Sequence, residues 1–435
     1  MVDNGAAAPN TSSTDYDAVI VGASLAGCTA AIFLARQGAR VAIVEKQPDP
    51  AAFKRICTHY IQASAVPTLE RAGLLEPIVA AGGVRSGFRA WTPWGRIAPP
   101  PERASYSVNL RREVLDPLLR ETAAETPGVE MLLGRTATRL LRSGAAFDGV
   151  VVRERDGEEA ELRGRLVVGA DGRDSKLAEM AGVKEKVLPH NRFAYGGYFE
   201  GPMPEGAPDA SVWFADPQWG AAFPTDSGLC FYAAMPTKKR LSEFKRDPEA
   251  ALVEYLSDFP EPPPIRSARL VGEVVGKIEM PNRVRTVTAP GLALIGDAAL
   301  AADPLFGVGC GWAFQSAEWM ADAVAPALAG EESMERGLRV YRRRHAKQLR
   351  GHTFLIHDYS SGRKMNPIER LLFSAAARDE EVAVRFDRFG TRQVGPAKMF
   401  ATTLPRAALV NLRHSLRRPE GSASVPGGRM ESQPG

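Results

Sequence analysis

Short apolar runs separated by helical patterns dominate the first third of the chain. Residues 17–21 (DAVIV) form an apolar run at strand length, followed at once by Gly22-Ala23-Ser24-Leu25-Ala26-Gly27. An Ala-rich helical pattern runs to Arg36 and Gly38 closes it, and a second apolar run, 41–44, ends in Glu45 and Lys46. This order predicts one β-α-β unit with a glycine turn between strand and helix. Residues 56–72 have apolar positions at irregular helical spacing and predict a helix ended by Gly73, with a short helix over 74–81. Residues 84–99 alternate apolar and polar positions around Phe88, Trp91 and Trp94, predicting a hairpin.

Further along, Leu115, Leu118 and Leu119 mark a helix from Arg111 through Ala124. Strands are predicted over 129–133 and 150–155, separated by turns at Ser143-Gly144 and Asp148-Gly149. Asp156-Gly157 predicts a hairpin turn into 160–163, and 166–168 reads as another short strand. Residues 193–235 look all-β, 238–259 helical, 260–264 a rigid proline connector, and 269–285 two more strands. A strand at 292–295 precedes a long helix over 312–328, and helices continue to about His414. The ends, 1–14 and 418–435, are rich in small and polar residues and are expected to be disordered.

The first glycine turn carries specific chemistry. A tight turn before a helix aims backbone N–H groups at a pyrophosphate, and the helix N-terminus favours its charge. Glu45 stands at the distance where an acid bonds a ribose hydroxyl. The middle glycine of G-x-G-x-x-G is Ser24 here, whose small hydroxyl can itself meet a phosphate oxygen. Two later loops repeat the arrangement. Gly169-Ala170-Asp171-Gly172 follows the strand at 166–168, and Gly296-Asp297 with Pro304, Gly307, Gly309 and Gly311 follows 292–295. In an open α/β sheet such loops gather at one edge, where ligands bind.

Composition narrows the classes. At 435 residues the chain is long for one core, which predicts two interleaved domains. A net charge of +4 is small for this length and gives no case for nucleic acid. Cys28, Cys57, Cys230 and Cys310 are scattered without C-x-x-C, so neither a zinc site nor a disulfide framework is indicated, and no metal is expected. Neither an apolar leader nor a membrane-length run occurs, so a cytoplasmic protein is the expectation. Lys54 and Arg55 are open to two readings, cofactor contacts or surface cations, and His59 to two, a base or a structural histidine.

The three loops, in this order, resemble those of FAD-dependent monooxygenases of the para-hydroxybenzoate hydroxylase type and the related halogenases and geranylgeranyl reductases. The resemblance covers about Tyr16 to Leu328. It implies an α/β fold: a Rossmann-like FAD-binding domain of the glutathione reductase type, interleaved with a mixed β-sheet substrate domain and followed by a helical C-terminal region. The implied division is 15–85, 105–190 and 284–330 for FAD, 86–104 and 191–283 for substrate, and 331–417 for the helices. The sheet strands of 193–235 and 269–285 would roof the flavin.

The resemblance also implies roles. Gly22, Ser24, Leu25, Ala26 and Gly27 would cradle the pyrophosphate, and Glu45 with Lys46 would meet the adenosine ribose. Asp171 and Gly172 match a DG motif tied to FAD and transient NAD(P)H binding. Gly296 and Asp297 match a GD motif whose Asp bonds the ribitol chain. Arg55 and Arg112 resemble cofactor-contacting basic positions. Pro304, Gly307 and Gly309 would lie beside the isoalloxazine. No catalytic residue is fixed; His59 and Arg55 are the candidates.

Trp213, Trp219, Phe223 and Phe231, with Phe199, are candidates to line a substrate site, against the alternative of plain sheet core. The activity implied is an FAD- and NAD(P)H-dependent monooxygenase. It would use O₂ through a C4a-hydroperoxide to hydroxylate or epoxidise a bulky aromatic or polycyclic small molecule. High Ala, Arg, Gly and Pro usage is in keeping with specialised metabolism such as antibiotic biosynthesis.

Alternatives are a halogenase, a prenyl reductase and a non-redox FAD-bound cyclase. Leu300 and Gly311 replace the His and Asn of many hydroxylases, and Asp303-Pro304-Leu305-Phe306 looks more like the halogenase and reductase branch. Against a halogenase, W-x-W-x-I-P is only echoed by Trp219-Gly220-Ala221-Ala222-Phe223-Pro224. Cys57 resembles an active-site Cys of the reductases, but Thr58 follows it where those have Gly.

Overall fold

Apolar runs such as 18–21 and 41–44 must be covered on both faces, and five strands form the parallel heart of the larger sheet. In the computed structural model, which describes residues 15–417, Tyr16–Val21 pairs in parallel with Glu159–Gly169 on one side and Val41–Glu45 on the other. Val129–Leu133 extends the sheet beyond Val41–Glu45, and Leu292–Leu294 beyond Glu159–Gly169. Ala18, Val19, Ile20, Val41, Leu166 and Val167 have no exposed surface. The helices Leu25–Arg36 and Gly309–Leu328 pack on each other beside this sheet. The fold is mixed α/β with several sheets and a helical C-terminal region.

Several sequence expectations change. The helix expected over 56–72 begins only at Val66. Tyr60–Ile61 is instead a strand paired with Ser107–Asn109, and His59 before it takes a positive φ of 60°. Pro67 sits in the first turn of Val66–Arg71, the only helical turn that tolerates it. Residues 160–163 and 166–168 belong to one strand, Glu159–Gly169. It pairs antiparallel with Ala146–Arg153 in its first half and parallel with Tyr16–Val21 in its second. Asp148-Gly149 is no turn: it marks a register irregularity within Ala146–Arg153, whose other neighbour, Thr136–Ser143, the sequence reading passed over. The hairpin expected over 84–99 is confined to Phe88–Thr92 and Gly95–Ile97, while Val84–Ser86 pairs with Ser107–Asn109.

A second sheet of seven strands runs in the order Arg269–Lys277, Ala194–Glu200, Leu229–Ala234, Gln218–Pro224, Ala210–Ala215, Phe88–Thr92, Gly95–Ile97. Of the two strands expected in 269–285 only the first joins it; Asn282–Arg285 pairs with Glu185–Leu188 and Leu300–Ala301. Side chains alternate between the sheet's faces. Trp219, Phe223 and Phe231 lie on the face that meets the C-terminal helices. Trp213 stands opposite Gly220 in register, not Trp219, and so points to the other face. There it stacks on Trp91 at 4.9 Å and on Phe259 at 6.4 Å, and its indole N–H donates to the Glu261 carbonyl. Phe199 packs on that same rear face against Tyr232. Trp213 and Phe199 are therefore corrected from substrate-lining candidates to core.

The helices Met334–Ser360, Pro367–Ala376, Glu380–Gly390 and Pro396–Arg417 cover the front face. Asn366 starts the second of them with a reciprocal capping box to Glu369. Among the described residues no helix is long and apolar enough to cross a membrane. The expected disorder at 1–14 and 418–435 falls outside the described residues.

Two predictions follow from this packing. Trp213→Ala removes a stacked indole from the rear core and should lower stability by about 3–5 kcal/mol, read as a reduced urea midpoint. Ligand binding at the front face should persist in the fraction that stays folded. The second concerns pH. Burial lowers His59, His190, His345 and His357 to about 4 and His352 to about 3, from an ordinary 6.5. An unfolded chain takes up these protons first as pH falls, so the native state loses stability between about pH 6.5 and pH 4. Burial raises Asp303 and Asp387, which offsets only part of this. The urea midpoint should fall steeply as pH drops below about 6, measured against its value at about pH 7.

Candidate active site

The C-terminal ends of Tyr16–Val21, Glu159–Gly169 and Leu292–Leu294 are neighbours, so the three glycine loops emerge side by side. They touch. Gly22 takes a φ of 108°, and a Cβ there would stand 2.5 Å from the Ala170 carbonyl oxygen and 3.0 Å from the Asp171 nitrogen. A Cβ on Gly27 would overlap the Gly22 carbonyl, so the turn closes onto the helix only with glycine at that position. Gly296, with a φ of 55°, approaches Ala26: a Cβ would lie 2.9 Å from the alanine methyl. Gly309, opening the helix Gly309–Leu328, faces the Asp297 carboxylate, which would be 3.8 Å from its Cβ.

Ser24 precedes the helix Leu25–Arg36 but does not cap it. Its hydroxyl accepts a hydrogen bond from the Arg112 guanidinium at 2.8 Å, and the first turn contains no acid. The N–H groups of Leu25, Ala26 and Gly27 are thus left to an outside acceptor. Arg112 is nearly fully buried and is held by Asp116 at 2.6 Å. Glu45 accepts the Ala23 and Gln47 N–H groups, each at 2.9 Å, which fixes its carboxylate at the strand end. Arg120, missed in the sequence, clamps the turn from below by donating to the Ala23 carbonyl at 2.9 Å and the Pro50 carbonyl at 2.8 Å. Lys54 lies 3.5 Å from Asp297.

The remaining expected positions are less alike. Lys46 is exposed past the strand end. Arg55 is exposed and pairs with Glu273 on the edge strand of the second sheet, away from the turn. Asp171 is turned inward: its oxygens accept from the Ser175 hydroxyl at 2.5 Å and the Leu177 N–H at 3.0 Å, so it shapes its own loop. Gly172, with a φ of 85°, faces open space. Pro304 opens a short 3₁₀ turn that Gly307 closes in the left-handed region, beside the Tyr60 ring.

A cluster that sequence spacing could not reveal stands beside Arg112. Cys57 Sγ and Cys310 Sγ are 3.5 Å apart, brought together across 253 positions of chain. Both are free thiols. The Cys310 thiol holds Cys57 well below the ordinary thiol value, helped by the Arg112 and Lys54 cations, while that bond and burial raise Cys310. His59 is buried, with both ring nitrogens engaged. Nδ1 accepts the Arg112 N–H at 3.1 Å, which leaves Nε2 to donate to the Tyr198 hydroxyl. Its ring packs edge-on to Phe231 at 5.4 Å. A histidine neutral at pH 7 with no free lone pair is placed to orient Arg112 and Tyr198, not to accept a proton.

A cavity of about 130 Å³ lies between the front face of the second sheet and the C-terminal helices. Trp219 and Phe223 line it from the sheet, and Leu305, Phe306 and Gly307 form the wall nearest the third glycine loop. Phe231 is on the correct face but packs on His59 and Tyr198.

Residues 15–350 match the family described as FAD binding domain. The chain belongs to this family. It is 26% identical over 349 residues to digeranylgeranylglycerophospholipid reductase of Methanosarcina acetivorans, spanning 76% of this chain and 80% of that protein. The same enzyme of Methanothrix thermoacetophila is 27% identical over 75% of this chain and 82% of its own. Among solved structures, a flavin-dependent brominase superposes with a TM-score of 0.74 at 18% identity, over 92% of this chain and 98% of that one. The myxobacterial chondrochloren halogenase gives 0.70 at 22%, over 88% and 98%.

The protein is an FAD-dependent oxidoreductase, and its residues fit that cofactor. The uncapped first turn, the buried guanidinium at its mouth and the side-chain-free approach of Gly22 and Gly27 form a cradle for a diphosphate. Gly27→Ala should therefore purify colourless or with sharply reduced FAD content, measured by absorbance after heat release. Iodoacetamide at pH 7 should label Cys57 ahead of Cys28 and Cys230 in FAD-stripped protein, since burial raises both of those thiols to about 12.

Proposed function

We propose that this protein is an NAD(P)H-dependent flavin monooxygenase acting on a bulky, largely apolar aromatic or polycyclic small molecule. The observation that carries the reading is the aromatic-lined cavity abutting the Phe306–Gly307 loop. Bound FAD would supply the redox chemistry, taking two electrons from NAD(P)H and activating O₂. The chain's own work is to position and to exclude water. Leu25, Ala26 and Gly27 offer N–H groups to the diphosphate, with Ser24 held in place by Arg112. Glu45 at the strand end would hold the adenosine ribose, and Asp297 would hold the ribityl chain. The N-terminus of the Gly309–Leu328 helix, with the Gly307 and Gly309 amides, would favour negative charge on the ring system. Trp219, Phe223 and Phe306 hold an apolar substrate in a dry space.

Among the described residues a second dinucleotide fingerprint is absent, so NAD(P)H is assigned a transient docking site beside Gly172. The chain would divide into a cofactor layer (15–85, 105–190 and 284–330), a substrate-facing sheet (86–104 and 191–283) and a helical cover (331–417). A second reading, reduction of isolated double bonds in a prenyl chain, is favoured by Cys57 in the flavin site and by the archaeal reductase relatives.

The two readings part on oxygen. NADPH or NADH should bleach the visible absorbance of the oxidised flavin, and an aromatic substrate should then raise O₂ consumption with formation of an oxygenated product. Trp219→Ala should cut that coupled oxygenation by about tenfold or more while leaving FAD content unchanged. Turnover that proceeds without O₂ and consumes double bonds would overturn the monooxygenase assignment.

A further inference from the structure

The cavity wall is apolar apart from a few groups, and the charges among these do not balance. Glu369 is neutralised: its oxygens accept from Arg363, at 2.7 Å to each, and from the Asn366 N–H at 2.8 Å. His352 is neutral at pH 7, since burial and the nearby Arg392 cation hold it at about 3. That leaves Arg392. No ion pair reaches it among the described residues. One terminal nitrogen donates to the Phe389 carbonyl at 3.3 Å, and Nε is buried with no acceptor. Its plane is covered by Phe306 at 5.2 Å and Phe389 at 5.7 Å, which satisfies the faces of a guanidinium but none of its N–H edge.

The backbone adds an independent observation. Arg392 has a φ of 66°, a left-handed conformation that L side chains rarely adopt, in a turn right after the helix Glu380–Gly390. The turn is pinned by Gln62, whose amide donates to the Gly390 carbonyl at 3.2 Å and to the Phe306 carbonyl at 2.8 Å. Gln62 thereby ties the arginine-bearing turn to the loop beside the cofactor site. A half-buried cation carried on a strained, fastened turn, without an internal counter-ion, is an arrangement completed by an external anion.

We propose that Arg392 binds a carboxylate on the substrate, so that the molecule entering this cavity is an aromatic or polycyclic acid with its apolar body against Trp219, Phe223 and Phe306. The inference rests on the cavity being the substrate site, as argued above, and narrows the substrate class. The fork geometry of a guanidinium matches a carboxylate through paired N–H···O bonds, and the Phe306 and Phe389 rings against the guanidinium restrict where they form. The acid would lie near the Phe306 end of the cavity, which sets which end of the substrate is presented to the cofactor.

The test is equilibrium binding to the FAD-loaded enzyme at neutral pH, without NAD(P)H, read by perturbation of the flavin absorbance and by calorimetry. The probes are benzoate, naphthoate and anthracenecarboxylate, each beside its neutral carboxamide. At least one acid should bind about tenfold or more tightly than its amide. Arg392→Gln should abolish that difference and Arg392→Lys should retain part of it, with FAD content and melting temperature confirming that each variant is folded. Equal affinities for acid and amide, no saturable binding of any acid, or an acid preference surviving in Arg392→Gln would overturn the assignment. Because binding is read without turnover, the two readings fail separately. Acid binding without substrate-stimulated O₂ uptake sinks the monooxygenase alone, and O₂ uptake confined to uncharged substrates sinks the role of Arg392 alone.

Discussion

Everything at the cofactor edge depends on a backbone-to-backbone contact that a single methyl group would forbid. The carbonyl of Gly22 lies where the Cβ of Gly27 would be, and the Ala170 carbonyl presses on Gly22 from the other side. With those positions bare, the first turn of Leu25–Arg36 sits directly above the strand ends and its amides face outward. The third loop uses the same device, with Gly296 against Ala26. Three strands that are adjacent in the sheet but far apart in the chain thus deliver their loops into one space.

Around this backbone frame the charges are arranged to be held, not exposed. Arg112 is tied to Asp116 and to Ser24, and its N–H fixes the His59 ring, which in turn engages Tyr198 on the second sheet. The side chain of one buried arginine thus holds the glycine turn, while its backbone N–H reaches the second sheet through His59. Such a pair adds little net stability, since desolvation offsets most of the attraction, but it leaves few alternative positions for the groups it joins.

How much of this was legible in the sequence varies with the range of the interaction. The β-α-β unit was readable because turn, apolar runs and Glu45 are all local signals. The convergence of three glycine loops followed from a topological rule, not from any residue. Sheet register was beyond reach. Trp213 and Trp219 are both aromatic residues in neighbouring strands, and only the pairing of Trp213 with Gly220 sends them to opposite faces. The 56–72 segment misled because apolar spacing cannot register that Tyr60 and Ile61 find strand partners at Ser107–Asn109. The Cys57–Cys310 approach is a tertiary fact with no sequence signature.

The cavity draws its walls from three parts of the chain. Trp219 and Phe223 come from the second sheet and Leu305–Gly307 from the third glycine loop, whereas Leu372, Phe386, Met399 and Phe400 come from the helices that end the described chain. Changes in those helices can alter the size and polarity of the enclosure while every group around the diphosphate cradle stays in place. The C-terminal helices are thus the part of the chain where the cavity can be reshaped independently of the first-turn backbone.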